Sequence, residues 1–134
     1  MNVNGFTQRF QELQRRAGRK RILTPDSALT EWANFATSVA AGYEMGLDEY
    51  VNDLSLRRVL EEALNDPVLA SSEGYLSFRA SVQSTDDILK GSFSEHLIGH
   101  ESAPWWERGV PRLAGRKLAD DLLSVYGIVV EVKA

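Results

Sequence analysis

The sequence contains no cysteine, only two histidines and four prolines, and no apolar run as long as a membrane span. Without cysteine the chain forms no disulfide and has no thiolate metal ligand or cysteine nucleophile. A membrane helix needs about 20 mostly apolar residues. The first residues also lack the basic start and apolar stretch of a secretory signal. We therefore expect a cytoplasmic protein that does not enter a membrane.

What remains is the composition of one ordinary globular domain. The 134 residues are 43% hydrophobic and 25% charged, which is typical of a chain that buries a single core. There is no internal repeat and no linker long enough to separate two units. The sequence therefore predicts a single domain over residues 1–134.

Charge is distributed unevenly along the chain, although the net charge is only −4. Residues 1–25 carry six bases against one acid, and residues 26–103 carry fourteen acids against four bases. Residues 104–134 are nearly balanced, with five bases and four acids. Such asymmetry bears on solubility and on partners rather than on the fold.

Apolar residues at helical spacing predict three helices in the first half of the chain. The first covers 6–17 and stops at Gly18. The second covers 25–45, with Thr24 as its N-cap and a proline in its first turn. The third covers 48–64 and is closed by an Asn-Asp-Pro sequence, because a proline disfavours helical geometry at the preceding residue.

The second half of the chain is less regular. Residues 75–82 serve neither the helical nor the strand period cleanly, and we favour a helix; residues 84–91 form a short capped helix. Glycines, prolines and tryptophans predict an ordered loop over 92–112. A last helix over 112–126 ends at Gly127.

Residues 128–132, Ile-Val-Val-Glu-Val, are β-branched and form the one convincing strand. A lone strand leaves its backbone groups unpaired. It pairs either with 75–82 or with another chain, which would make a homodimer. The predicted fold class is therefore mainly α, a compact domain of five or six helices with a small β element.

His96 and His100 would face the same way on a helix, as zinc ligands do, with Glu95 and Glu101 beside them. However, no third ligand is identifiable, and Gly99 weakens the helix that this site requires. The other interpretation is two polar residues that form hydrogen bonds in an aromatic-rich loop. Since a glycine-rich phosphate loop is also absent, we expect no cofactor.

Acidic doublets offer no catalytic pair. Asp86-Asp87, Asp120-Asp121 and Glu61-Glu62 are adjacent rather than on one helix face, so each doublet points in two directions. We interpret them as solvated helix faces. An enzyme is therefore less favoured than a binding protein.

A basic cluster lies between the first two predicted helices. It could contact phosphates, but the next helix has no Arg or Lys with which to read bases. The alternatives are pairing with the protein's own acidic middle and a solvated connector. The cluster consists of Arg15, Arg16, Arg19, Lys20 and Arg21.

Carboxylates and tyrosines gather around the break at Gly46, a composition typical of an interface. They are Glu44, Asp48, Glu49 and Asp53, with Tyr43 and Tyr50 between them. Trp105 and Trp106 should face different directions, one into the core and the other at the surface, where it would mark an interface or a groove.

These features favour a non-catalytic protein-binding module. Such a module would act as an immunity or antitoxin-like protein, with an acidic face that covers a basic, nucleic-acid-processing partner. The first alternative is a nucleic-acid-associated regulator that uses the basic cluster. The second is a metal-dependent enzyme around His96 and His100.

Overall fold

The computed structural model describes residues 3–134, and their side chains from Gly5 onward. It confirms a mainly α fold with six helices of at least eight residues, two four-residue helices and two small sheets. The elements in chain order are α1 Val3–Arg16, α2 Pro25–Ala41, α3 Leu47–Leu54, α4 Leu56–Leu64, α5 Pro67–Ala70, α6 Tyr75–Gly91, β1 Phe93–Leu97, α7 Trp105–Arg108, β2 Gly109–Pro111, β3 Leu113–Ala114, α8 Arg116–Tyr126 and β4 Glu131–Val132. No helix among these is both long and apolar enough to cross a membrane.

Two predicted helix termini are confirmed at the level of the capping groups. The side chain of Thr24 accepts a hydrogen bond from the backbone N–H of Ser27 at the start of α2, which satisfies one of the free donors of the first turn. At the end of α8, Gly127 is left-handed with φ +68°, where a side chain would be strained.

Two predictions for the first half of the chain are wrong. The second helix ends earlier than predicted, and the segment predicted as a third helix consists of two helices. Helix α2 stops at Ala41 because Gly42 takes φ +100°, and Tyr43 is then extended in a parallel bridge with Ala114. The segment predicted as one helix over 48–64 is α3 and α4, separated at Ser55. One apolar period continues through both helices, so the break leaves no trace in the pattern.

The region after α6 differs most from the prediction. Residues 75–82 are helical, as favoured, but they join 84–91 in the single helix α6. Within the predicted loop 92–112, β1 pairs antiparallel with β2. Gly109 is required there, because a Cβ on it would lie 2.0 Å from the ring of Phe93.

The C-terminal strand is shorter than predicted and has a different partner. Only β4 within 128–132 is a strand, and it pairs in parallel with β3, which belongs to a segment predicted as helix. Neither 75–82 nor another chain is needed for that side of the strand. The extended Tyr43 lies on the other side of β3.

Two long helices form the centre of the core. Helix α2 packs along α6, while α1 packs on α4 and α5, and α3 packs on α8. The largest side chains that are fully buried between them are Trp32, Tyr50, Phe10, Leu54 and Leu60. Helix α8 packs on one side of α3, and the opposite side of α3 lies on the surface.

One ion pair is buried in this core. The guanidinium of Arg57 on α4 donates two close hydrogen bonds to Asp86 on α6, with Nε–Oδ1 3.0 Å and Nη2–Oδ2 2.9 Å. The indole N–H of Trp32 on α2 donates to the same carboxylate at 2.9 Å. The interpretation of Asp86-Asp87 as a solvated doublet is therefore wrong for Asp86, whose side chain is 8% exposed.

We predict that Arg57→Gln lowers the free energy of unfolding by about 3–5 kcal/mol, because Asp86 is then left buried without a countercharge. Urea unfolding at neutral pH measures the change. The control is Arg58→Gln, which removes an exposed ion pair with Glu107 and should cost no more than about 1 kcal/mol. Equal losses in the two variants would contradict a structural role for the buried pair.

Candidate functional site

Helix α3 carries three carboxylates, one exposed and two half-buried, that have no cationic partner among the side chains that the structure describes. Asp48 and Glu49 lie in the first turn of α3, where the helix dipole favours negative charge, and Asp53 lies one and a half turns later. Within residues 5–134 no Lys, Arg or His nitrogen comes within 4.0 Å of these three carboxylates. We call Asp48, Glu49 and Asp53 the α3 acidic surface.

Exposed apolar side chains accompany these carboxylates. Met45, just before α3, is 53% exposed, and Val51 on α3 is 48% exposed. Glu44 is also exposed, but it forms an ion pair of 2.9 Å with Lys133. Carboxylates beside exposed Met and Val offer a cationic partner both ion pairs and apolar contact.

The two tyrosines predicted for this surface lie in the core instead. Tyr43 is 4% exposed and Tyr50 is fully buried, and their rings pack edge to face. The Tyr43 hydroxyl donates to Asp53 at 2.6 Å, and the Tyr50 hydroxyl donates to the carbonyl of Gly109. The tyrosines therefore pack beneath the α3 acidic surface, and their rings are not accessible to a partner.

The protonation of these tyrosines follows from their position. Burial raises the pKa of Tyr43, and the hydrogen bond to Asp53 and the charge of Glu49 raise it further. Burial likewise raises the pKa of Tyr50. Both hydroxyls therefore remain donors, so the Tyr43 hydroxyl holds the Asp53 carboxylate in place.

A groove of about 860 Å³ runs beside the α3 acidic surface, between α2 and the α3–α4 junction. Its apolar lining includes Phe35, Leu56 and Val59, and its polar lining includes Asn34 and Asp53. The basic residues Arg19, Lys20 and Arg21 also line this groove. The basic cluster and the acidic segment, which lie far apart in the sequence, thus meet at one groove.

Most of the basic cluster is paired within the chain. Arg19 contacts Glu62 at 2.6 Å, Arg21 contacts Glu31 at 2.8 Å, and Arg16 contacts Glu12 at 2.6 Å. The last acid lies in the first helix rather than in the acidic middle. Arg15 and Lys20 are exposed.

Arg9 forms a further ion pair that fastens α1 to the start of α5. Its guanidinium donates to both oxygens of Asp66 at 2.9 and 2.8 Å, and Asp66 also caps α5 by accepting from the N–H of Leu69. The hydrogen bond from Arg9 lowers the pKa of Asp66, and the same bond raises the pKa of Arg9. The charge asymmetry of the sequence is therefore used in part to attach the first helix.

The histidines do not share a helix face. His96 lies on β1 and His100 in the following loop, where its Nδ1 accepts from the N–H of Ser102 at 3.0 Å. The helix assumed for a metal site is thus wrong. In the part of the chain that the structure describes, no three His, Asp or Glu side chains are grouped so that they could hold a metal ion.

The two tryptophans face different directions, with their rings at 89°. Trp106 is buried, with its ring 4.8 Å from the guanidinium of Arg57. Trp105 is half-buried, and the ammonium of Lys90 lies 4.4 Å from its ring. Both therefore pack at the junction of the helices with the β1–β2 hairpin.

Sequence reasoning missed the groove, because its walls come from segments with no common motif. Asn34, Leu56 and Val59 line it, and nothing in their sequence context separates them from other helix residues. The only signal was the opposite charge of the basic cluster and the acidic middle, for which pairing within the chain was one of the interpretations.

No protein-family model matches the chain, and no curated protein or solved structure matches it either.

We predict that Asp66→Asn reduces the loss of stability in acid. Because the folded state holds the pKa of Asp66 below its ordinary value of 3.8, ionised Asp66 stabilises the fold above that value, and this contribution disappears as the pH falls through the lowered pKa. Asparagine still caps α5, so the substitution isolates the charge.

Urea unfolding between neutral pH and about pH 2, where buried carboxylates titrate, measures this effect. Arg9→Gln should flatten the profile in the same way, because the shift originates in its hydrogen bond. An unchanged acid limb in both variants would contradict this assignment.

Proposed function

We propose that the chain is a non-catalytic protein-binding module whose α3 acidic surface, with the groove beside it, binds a basic partner. The observation that carries the proposal is the grouping on one short helix of three carboxylates, Asp48, Glu49 and Asp53, that have no cationic partner among the described residues. Glu31, Glu61 and Glu62 each have an arginine of the same chain, and the other acids of the acidic middle without a cation lie singly on separate elements.

The chemistry of the surface supports a protein rather than a small ion. Carboxylates alone would attract any cation, but Met45 and Val51 expose apolar area beside them. The groove adds apolar and amide side chains, and because Arg19, Lys20 and Arg21 also line it, the bases of a partner would contact the side of the groove formed by Asp53. A partner segment with Lys or Arg next to apolar side chains would satisfy both features.

We further propose that the module acts in the cytoplasm in the manner of an immunity or antitoxin protein. Proteins that process nucleic acids carry basic surfaces for phosphate contacts. An acidic cover competes for those surfaces, and its field accelerates the encounter. The support for this class is charge complementarity alone.

The nucleic-acid alternative has less support. Its charge came from five bases, and Arg16, Arg19 and Arg21 each pair with a carboxylate of the chain. Phosphate contacts would have to displace those carboxylates or rely on Arg15 and Lys20. We therefore propose no second function from this cluster.

We predict that the triple variant Asp48→Asn, Glu49→Gln, Asp53→Asn weakens binding of the partner at least about tenfold, because the loss of complementary charge slows association and weakens contacts. The wild-type chain and the variant are used in parallel to capture partners from a lysate of the native cells. The captured protein is then purified and titrated against both by calorimetry at low and high salt.

The matched control is Glu73→Gln, Asp87→Asn, Glu95→Gln, which removes three exposed carboxylates elsewhere on the chain. Affinity should fall with salt for the wild-type chain and for this control, and less steeply for the α3 variant. Urea unfolding verifies that all three proteins are folded. A partner that binds the α3 variant as tightly as the control, or the absence of any stoichiometric partner, would overturn the proposal.

A further inference from the structure

Among residues 3–134, strand β4 is paired on one side only. The N–H of Glu131 donates to the carbonyl of Arg112 at 3.0 Å, and the N–H of Lys133 donates to the carbonyl of Ala114 at 2.8 Å. Since alternate residues of a strand direct their backbone groups to opposite sides, Val130 and Val132 direct theirs away from β3. Among residues 3–134 no strand pairs with that outer edge, and an open edge is a template for another strand.

Apolar surface lies next to this edge. Val129, which precedes β4, is 74% exposed, and Val125 and Tyr126 at the end of α8 are 61% and 44% exposed. Helix α8 packs against β4, so these side chains and the open edge belong to one region of the surface. Exposed apolar side chains grouped at a strand edge are typical of an association surface.

We propose that β4 pairs antiparallel with β4 of a second copy of this chain, with the two-fold axis at Val132. In this register Val132 lies opposite Val132 of the other copy, and the outward N–H and C=O groups of both residues bond to each other. Glu131 of each copy then lies opposite Lys133 of the other. The pairing would join two small sheets into one.

The choice of register rests on charge. If the two-fold axis passed between two residues, a residue whose backbone groups point to the open edge would lie opposite one whose backbone groups point to β3. The axis must therefore pass through a residue. With the axis at Glu131, the Glu131 side chains of the two copies lie opposite each other, and their like charges repel. With the axis at Val130, Glu131 of one copy lies opposite Val129 of the other, which forms no charge pair. Only the axis at Val132 forms two Glu–Lys cross-strand pairs, which stabilise antiparallel strands; in each pair Lys133 exchanges Glu44 of its own chain for Glu131 of the other copy. The edge is thus complementary to itself, which favours a second copy over another protein.

The first test is the mass of the protein by analytical ultracentrifugation from about 1 μM to about 1 mM, the range in which a weak interface dissociates. The wild-type chain should approach twice its 14.9 kDa as concentration rises. Val132→Pro removes one outward donor and none of the bonds to β3, and proline is tolerated at an edge of this kind. It should leave a folded monomer at all concentrations.

The second test uses complementation between two charge variants. Glu131→Lys opposes two lysines in both pairs, and Lys133→Glu opposes two glutamates, so each variant alone should associate at least about tenfold more weakly. Mixing the two restores both opposite-charge pairs in a heterodimer. The control is Glu44→Gln, which releases Lys133 from its partner within the chain and should therefore not weaken association.

Amide hydrogen exchange locates the interface independently of the mass. The amides of Val130 and Val132 should gain protection as concentration rises, whereas those of Glu131 and Lys133 are already bonded to β3. A wild-type chain that stays monomeric throughout, a dimer that survives Val132→Pro, or a mixture that fails to associate would each overturn the proposal.

Discussion

The buried ion pair between Arg57 and Asp86 constrains the rest of the structure. A charge inside a protein is tolerated only when its countercharge and hydrogen bonds are in place, so α4 and α6 can pack only in the arrangement that brings these groups together. The indole N–H of Trp32 on α2 donates a further hydrogen bond to the Asp86 carboxylate, and the ring of Trp106 covers the Arg57 guanidinium. Three helices and the β1–β2 hairpin are therefore fixed at one polar point, and apolar packing fills the space around it.

In the folded molecule, the acidic middle contains two groups of acids: some pair with the basic residues of the first 25 positions, and others face solvent on α3. Part of the acidic middle neutralises the basic start, because Asp66 and Glu62 bind Arg9 and Arg19 and hold the first helix and its following loop against α4 and α5. The carboxylates of α3 are excluded from that arrangement, because α3 packs on α8 and faces solvent. A net charge or a segment charge cannot distinguish these two groups of acids, whereas their partners do.

The sequence was sufficient where a local signal determines the outcome. Apolar period and the Thr24 cap located α1 and α2, and Gly127 located the end of α8. The sequence was insufficient where a contact between residues far apart in the chain determines the local structure or the burial of a side chain. Strand β3 has two residues, too few to show a period, and it exists because Tyr43 and β4 pair with it. Asp86 resembles any exposed acid of a doublet, because only Arg57, 29 residues away, makes its burial acceptable. The groove was unpredictable for the same reason, since its walls meet only in the folded chain.

The three tryptophans of the chain all lie around the same junction: Trp32 donates to Asp86, Trp106 covers Arg57, and Trp105 lies under Lys90. Intrinsic tryptophan fluorescence therefore reports on one place only, the meeting of the long helices with the hairpin. It will follow global unfolding well, since that junction is lost with the core. It will be a poor detector of events at α3 or at the outer edge of β4, so a silent emission spectrum during a titration carries no information about either surface.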